Sequence, residues 1–417
     1  MAMEKCENMM SKRFWWVLAG LLACAAAAPA QEPPLVDIPA SALTGALAPQ
    51  YVEMVRKRLE YRREQLAAAA TPKAVIEARE GILADYALYD AAGHQYQYAF
   101  AQHAREVLIP VLEQPMPPED KLAALKQVNI AVALSRMPQV TIQPALDAMV
   151  KHPNGAVRFL GWEGYHSART ILFAQGRNET QQFFASLQTA AAQEQSPPVM
   201  GAIFDAANIS SFADARVSAA TIQEAQRQAF AILQANWRRW CERVLAGDEE
   251  MTRAMTKGVS AAATLAGGLE APGKTAAVQM VIDAMRCASL AYDEAGAEGR
   301  VAEENDALLQ MCEATLSSSE GALFPVTNKR ADYVTKALGE KETEVRRVNV
   351  PTAVLKWIDD LKEFGVVKAD FVPPTPTTAT APATTETAEA ETAPSETAPS
   401  TTQPADTATQ PTTQPAP

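Results

Sequence analysis

His152-Pro153-Asn154-Gly155-Ala156-Val157-Arg158 joins two apolar runs, 142–150 and 157–174, whose large side chains recur at helical spacing. A short polar stretch with proline and glycine between two such runs breaks one helix and starts the next, so it reads as the bend of a helical hairpin. The same arrangement occurs at Gln195-Ser196-Pro197-Pro198-Val199-Met200, with Val199 42 residues beyond Val157. It occurs again at Pro115-Met116-Pro117-Pro118-Glu119-Asp120-Lys121-Leu122, with Leu122 35 residues before Val157.

Outward from these bends the chain continues in the same style. Val52, Val55, Leu59 and Leu66 stand at helical spacing among Arg, Glu and Gln, and Thr71-Pro72 offers a cap and a first-turn proline to a run from Val75 to Leu88. Further helices are predicted over 99–112, 118–134, 142–150, 157–174, 179–192, 199–209, 213–246, 249–265, 275–291, 300–316 and 352–364. Pro351 is read as helping to start the last of these and Gly365 as stopping it. Strand signals are nearly absent, and 345–350, the one short candidate, also fits a helix end. The expectation is an all-α body over 51–371.

Paired helices at this period, with Asn154, Val157 and Arg158 at the bend, resemble HEAT-type repeats over about 99–211. Met200 stands where that family places Arg, and the long run after Ala213 departs from the period. The resemblance implies stacked helical hairpins, an α-solenoid that binds other macromolecules. An irregular helical bundle is the alternative.

Both ends differ from the body. Met10-Ser11-Lys12-Arg13 is a basic start, 14–28 is an apolar run too short to span a bilayer, and Ala28-Pro29-Ala30 supplies the small residues of a signal-peptidase site. Residues 1–30 are therefore expected to be a signal peptide with its true start at Met10, and 31–50 a linker. Leu21-Leu22-Ala23-Cys24 offers the alternative of a lipid anchor at Cys24. No other run suggests a membrane span. From Pro373 onward no large aliphatic or aromatic side chain appears, so 372–417 is expected to be a disordered Pro/Thr/Ala-rich tail. The formal charge is −12, and the tail's five acids, unaccompanied by a base, leave the rest at −7. That balance argues against nucleic acid.

Cleavage at Ala30 leaves three cysteines, Cys241, Cys287 and Cys312, too few and too sparse for a disulfide framework. They read as small buried hydrophobes, with one bridged pair as the alternative and no basis in sequence for choosing which. Gly268-Leu269-Glu270-Ala271-Pro272-Gly273-Lys274-Thr275 fits the phosphate-cradling pattern through Gly268, Gly273, Lys274 and Thr275. The stretch before it, 258–265, is Ala-rich and helix-like where that loop needs a strand, so the match is read as chance and no cofactor is expected. His94, His103, His152 and His166 lack a zinc-gripping i, i+4 pair, and no metal site is assigned. Glu249-Glu250, Glu303-Glu304 and Asp359-Asp360 are sequence neighbours, which on a helix diverge by roughly 100° and do not face one bond. Tyr86, Tyr89, Tyr96, Tyr98 and Phe100 form one aromatic set, and Trp237 and Trp240 around Arg238-Arg239 another; both read as core packing, with a ligand face as the alternative for the tyrosine set. No catalytic residue is assigned.

The function expected from these residues is an exported, non-catalytic α-helical binding or scaffold protein with protein partners, periplasmic or extracellular. An exported all-α enzyme with a dispersed site is the alternative.

Overall fold

A computed structural model describes residues 38–43, 45–89, 94–115, 117, 119–210, 216–297 and 306–371. By its contacts the chain divides into 1–374 and 375–417. The signal segment, the lipid-anchor alternative and the tail lie outside the described residues.

The described part is all-α. Its helices are α1 Pro49–Ala68, α2 Pro72–Tyr86, α3 His94–Leu112, α4 Lys121–Ser135, α5 Gln143–Val150, α6 Gly155–Gln175 and α7 Arg177–Gln193, followed by α8 Pro197–Ala207, α9 Ala219–Leu245, α10 Glu249–Leu265, α11 Ala271–Ala297, α12 Ala307–Thr327, α13 Tyr333–Leu338 and α14 Thr343–Asp360. Consecutive helices pair across a bend, α1 with α2 through α11 with α12, and the pairs stack in two rows. One row runs α1, α3, α5, α7, α9, α11, α14; the other runs α2, α4, α6, α8, α10, α12. Each hairpin has an apolar flank that it cannot bury alone, and stacking covers it with the next hairpin. The long helix α9 keeps the order, lying between α7 and α11, so the pairing continues beyond the point where the sequence period loosens.

Capping explains why the second row starts where it does. The first backbone N–H groups of a helix have no internal acceptor, and a side-chain oxygen just before it supplies one, worth about 1 kcal/mol. Thr71 accepts from Ala74 N (3.2 Å), Asp120 from Ala123 N (2.8 Å), Asn154 from Ala156 N (2.9 Å), Asp248 from Met251 N (2.9 Å) and Asp306 from Leu308 N (2.9 Å). Helix α8 has no side-chain cap and opens with Pro197 and Pro198, which have no N–H to satisfy, while Glu194 Oε1 accepts from Gln195 N (3.0 Å) and Ser196 N (2.8 Å) in the bend before it.

The bends are also tied to one another. Lys126 Nζ donates to Ala67 O (2.7 Å), His152 Nε2 lies 3.1 Å from Leu112 O, Arg158 Nε donates to Glu194 Oε2 (2.8 Å), and Arg243 Nη1 donates to Gln195 O (2.9 Å). Each bond joins one hairpin to its neighbour, so the bends that follow α1, α3, α5, α7 and α9 are linked in a polar seam along one edge.

Several boundaries differ from expectation. The strand candidate 345–350 is helical, and Pro351 lies inside α14 rather than near its start. Gly365 follows a short 3-10 turn at Lys362–Phe364 with φ of 78°, a left-handed conformation glycine adopts without strain. Helix α12 continues to Thr327 through Ser317-Ser318-Ser319, because Ser319 Oγ turns back to Thr315 O (2.7 Å) and the stretch is held between neighbours. Within the expected linker, Ile38 and Leu43 are buried, and Ile38 N donates to Tyr89 Oη (2.8 Å).

Candidate functional site

Three consecutive helices of the second row, α8, α10 and α12, enclose a groove of about 780 Å3 with the first turn of α11 at its end. Its polar groups come from Asp205 and Asn208 at the end of α8, Thr256, Lys257, Ser260 and Thr264 on α10, Lys274 on α11, and Ser318 on α12. Small residues make the space: a Cβ added at Gly267 or at Gly321 meets nothing within 4 Å.

The walls are fixed from behind. The carbonyl of Asp205 accepts from His166 Nδ1 (2.8 Å) and Arg169 Nη1 (2.8 Å), and its carboxylate pairs with Lys257. The aliphatic stem of Lys257 passes over Gly201, where an added Cβ would lie 3.5 Å from Lys257 Cδ. Lys274 has no acidic partner among the described residues. Pro325 lies inside α12 and also lines the groove. Having no N–H, it leaves the carbonyl four residues earlier, that of Gly321, without its helical donor, and Gly321 is a groove residue too. The groove therefore offers ammonium and hydroxyl donors, a released carbonyl and a small apolar floor. Its one carboxylate, Asp205, is held by a lysine, and no histidine or cysteine stands among the described lining residues. Such a set can hydrogen-bond to polar groups.

The segment matching the phosphate loop meets this groove only at its lysine. A helix, α10, precedes it, then a 3-10 turn at Ala266–Gly268, and Gly273, Lys274 and Thr275 already belong to α11. A phosphate cradle needs free amides, yet Leu269 N donates to Ala266 O (3.1 Å) and Lys274 N to Glu270 O (2.9 Å). The glycines have packing reasons: a Cβ on Gly268 would lie 1.9 Å from Gln226 Oε1, and one on Gly273 2.9 Å from Leu269 Cβ.

The histidines are dispersed. His94 is exposed, His103 contacts Glu106 (2.8 Å), and His166 supports Asp205. His152 is buried in the seam; its Nδ1 accepts from Asn154 N (3.1 Å), so Nε2 carries the proton that meets Leu112 O. Burial lowers its pKa. Among the described residues no three His, Cys, Asp or Glu side chains gather as a metal cluster. In the first aromatic set Tyr86, Tyr96 and Phe100 are buried, each tyrosine ring centroid 5.8 Å from that of Phe100, while Tyr98 is exposed. Trp237 and Trp240 are buried against Phe204, and Trp237 Nε1 donates to Met280 O (2.8 Å). Asp205, Lys257, Ser260, Ser318 and Gly321 carry no motif; a proline in an apolar helical stretch, Pro325, was the available signal. No helix among the described residues is long and apolar enough to cross a membrane.

No known protein-family profile matches this chain, and no curated protein matches it. Among solved structures it is similar to an engineered protein, at 14 % identity over 78 % of this chain and 86 % of that one, with a TM-score of 0.33. A likeness of that size carries no argument about fold or function.

Proposed function

We propose that this is an exported, non-catalytic scaffold built of HEAT-like helical hairpins, which binds a protein partner across the second helix row. The observation that carries the reading is the groove spanning α8, α10 and α12: consecutive hairpins present one continuous face there, lined with donors rather than with paired acids. Repeated hairpins whose second helices align in this way make extended binding surfaces. Lys257, Lys274 and the groove hydroxyls suit a polar or acidic segment of the partner. Export rests on the N-terminal segment alone, with lipidation at Cys24 as the alternative processing route.

The test uses the full chain produced with its own N-terminal segment. A photo-crosslinking amino acid at Gly321, where space is open, is expected to capture one defined protein from intact cells. The double variant Lys257→Glu, Lys274→Glu is expected to lose that adduct while keeping its helical circular dichroism. An adduct indifferent to both charge reversals, or none from a folded and exported protein, overturns the reading. The mature mass, beginning at Gln31 or at an acylated Cys24, identifies the processing route.

A further inference from the structure

We propose that Cys241 and Cys287 are joined by a disulfide in the exported protein, tying α9 to α11, while Cys312 stays a free thiol. Helices α9 and α11 are next neighbours in the first row. Their packing is anchored by Trp237 Nε1 on Met280 O (2.8 Å), about one turn before Cys241 and about two turns before Cys287. Four residues on from Trp237 and seven on from Met280 return to the same flank of each helix, so both cysteines face the interface between α9 and α11. Both cysteines are fully buried as free thiols, and Cys287 is among the groups that raise the Cys241 pKa. Cys312, on α12, is buried elsewhere, with Asp306 and Glu313 as its charged neighbours. Of the three thiols, only one pair shares a site.

Burial and the adjacent thiol push the Cys241 pKa well up, so thiolate is scarce once the helices have closed. The bond therefore belongs to the folding chain. The Cys241 thiolate attacks the disulfide of an oxidant, either a dithiol oxidase or oxidised glutathione, forming a mixed disulfide and releasing one thiolate. The Cys287 thiolate then attacks the Cys241 sulfur and releases the second. Two protein thiols lose two electrons and two protons in all, and one oxidant disulfide becomes two thiols.

The inference rests on the export reading for its oxidant, so two preparations are compared. The first is the full chain exported by cells, denatured in iodoacetamide without reductant. It is expected to take one label, on Cys312, and three after reduction, with one linked peptide containing Cys241 and Cys287. The second is the reduced chain from Gln31 onward, which carries only these three cysteines, refolded in a glutathione buffer; it forms the same link whether or not cells export the protein. Three labels on the refolded protein, or a link involving Cys312, overturn the proposal. A linked refolded protein beside a cell-retained, fully reduced one overturns export alone. Cys287→Ser is expected to lower the Tm of the oxidised protein by roughly 5 °C, and Cys312→Ser to leave the link intact.

Discussion

Asp283 and His152 make opposite demands on pH. Asp283 is half-buried on α11, accepts from Gln279 Nε2 (2.7 Å), and desolvation pushes its pKa from 3.8 up to about 6 despite nearby Arg238. The folded chain therefore holds a proton there that the unfolded chain has released between about pH 4 and 6, and above that window Asp283 costs stability. Asp283→Asn is expected to stabilise the protein by about 1–3 kcal/mol at pH 7 and by little at pH 4, measured by urea denaturation at both values. His152 has the reverse sign. Its pKa is lowered from 6.5, so the unfolded chain takes up a proton first, and its contribution declines as pH falls below about 6.5. His152→Gln is expected to lower the Tm at pH 7.5, since the seam bond to Leu112 O is weakened, but to flatten the Tm profile between about pH 5 and 7. Neither behaviour was legible in the sequence. Periodicity shows that Asp283 and His152 sit near apolar runs, but desolvation depends on the helix packed opposite. The groove was hidden for the same reason: Asp205, Lys257 and Ser318 each look like ordinary solvated residues, and only stacking brings their helices to one place.

At the level of helices, much of the fold could be read directly. The hairpin bends at 115–122, 152–158 and 195–200 mark real reversals, and Thr71-Pro72 caps α2 as its residue types imply. What escaped lay near the end of the body, where α12 runs on through three serines, α13 follows, and α14 starts at Thr343 rather than at the expected 352. A single buried carboxylate organises that end. Glu320 on α12 accepts from Val334 N (2.8 Å), Thr335 N (2.8 Å), Thr335 Oγ1 (2.6 Å) and Trp357 Nε1 (2.7 Å). It supplies the acceptors that the start of α13 lacks and fixes α14 through its indole, tasks that span 37 residues of sequence. Glu320→Ala strands these donors, and a loss of about 3 kcal/mol is expected. Hydrogen exchange is expected to accelerate in 333–360 while 49–207 stays protected; uniform loss of protection would contradict this division.

Across the body, each hairpin touches chiefly its neighbours, so stability is shared locally rather than through one common core. Ile82 is fully buried in α2, and Ile82→Ala is expected to cost 2–5 kcal/mol there. Its hydrogen-exchange signature is expected to fade along the row, strong in α1 to α4 and small in α10 to α12. A single transition with equal loss of protection everywhere would mean tighter coupling than the contacts describe. Order by neighbour contact also raises the question of what stops the stack. In the first row α14 lies over the free flank of α11, and Glu320 holds it in place. Were that lid lifted, the bare apolar flank would become a template for another copy of the chain, a head-to-tail contact with no symmetry to close it. The last helix among the described residues thus covers the flank that a further hairpin would otherwise occupy.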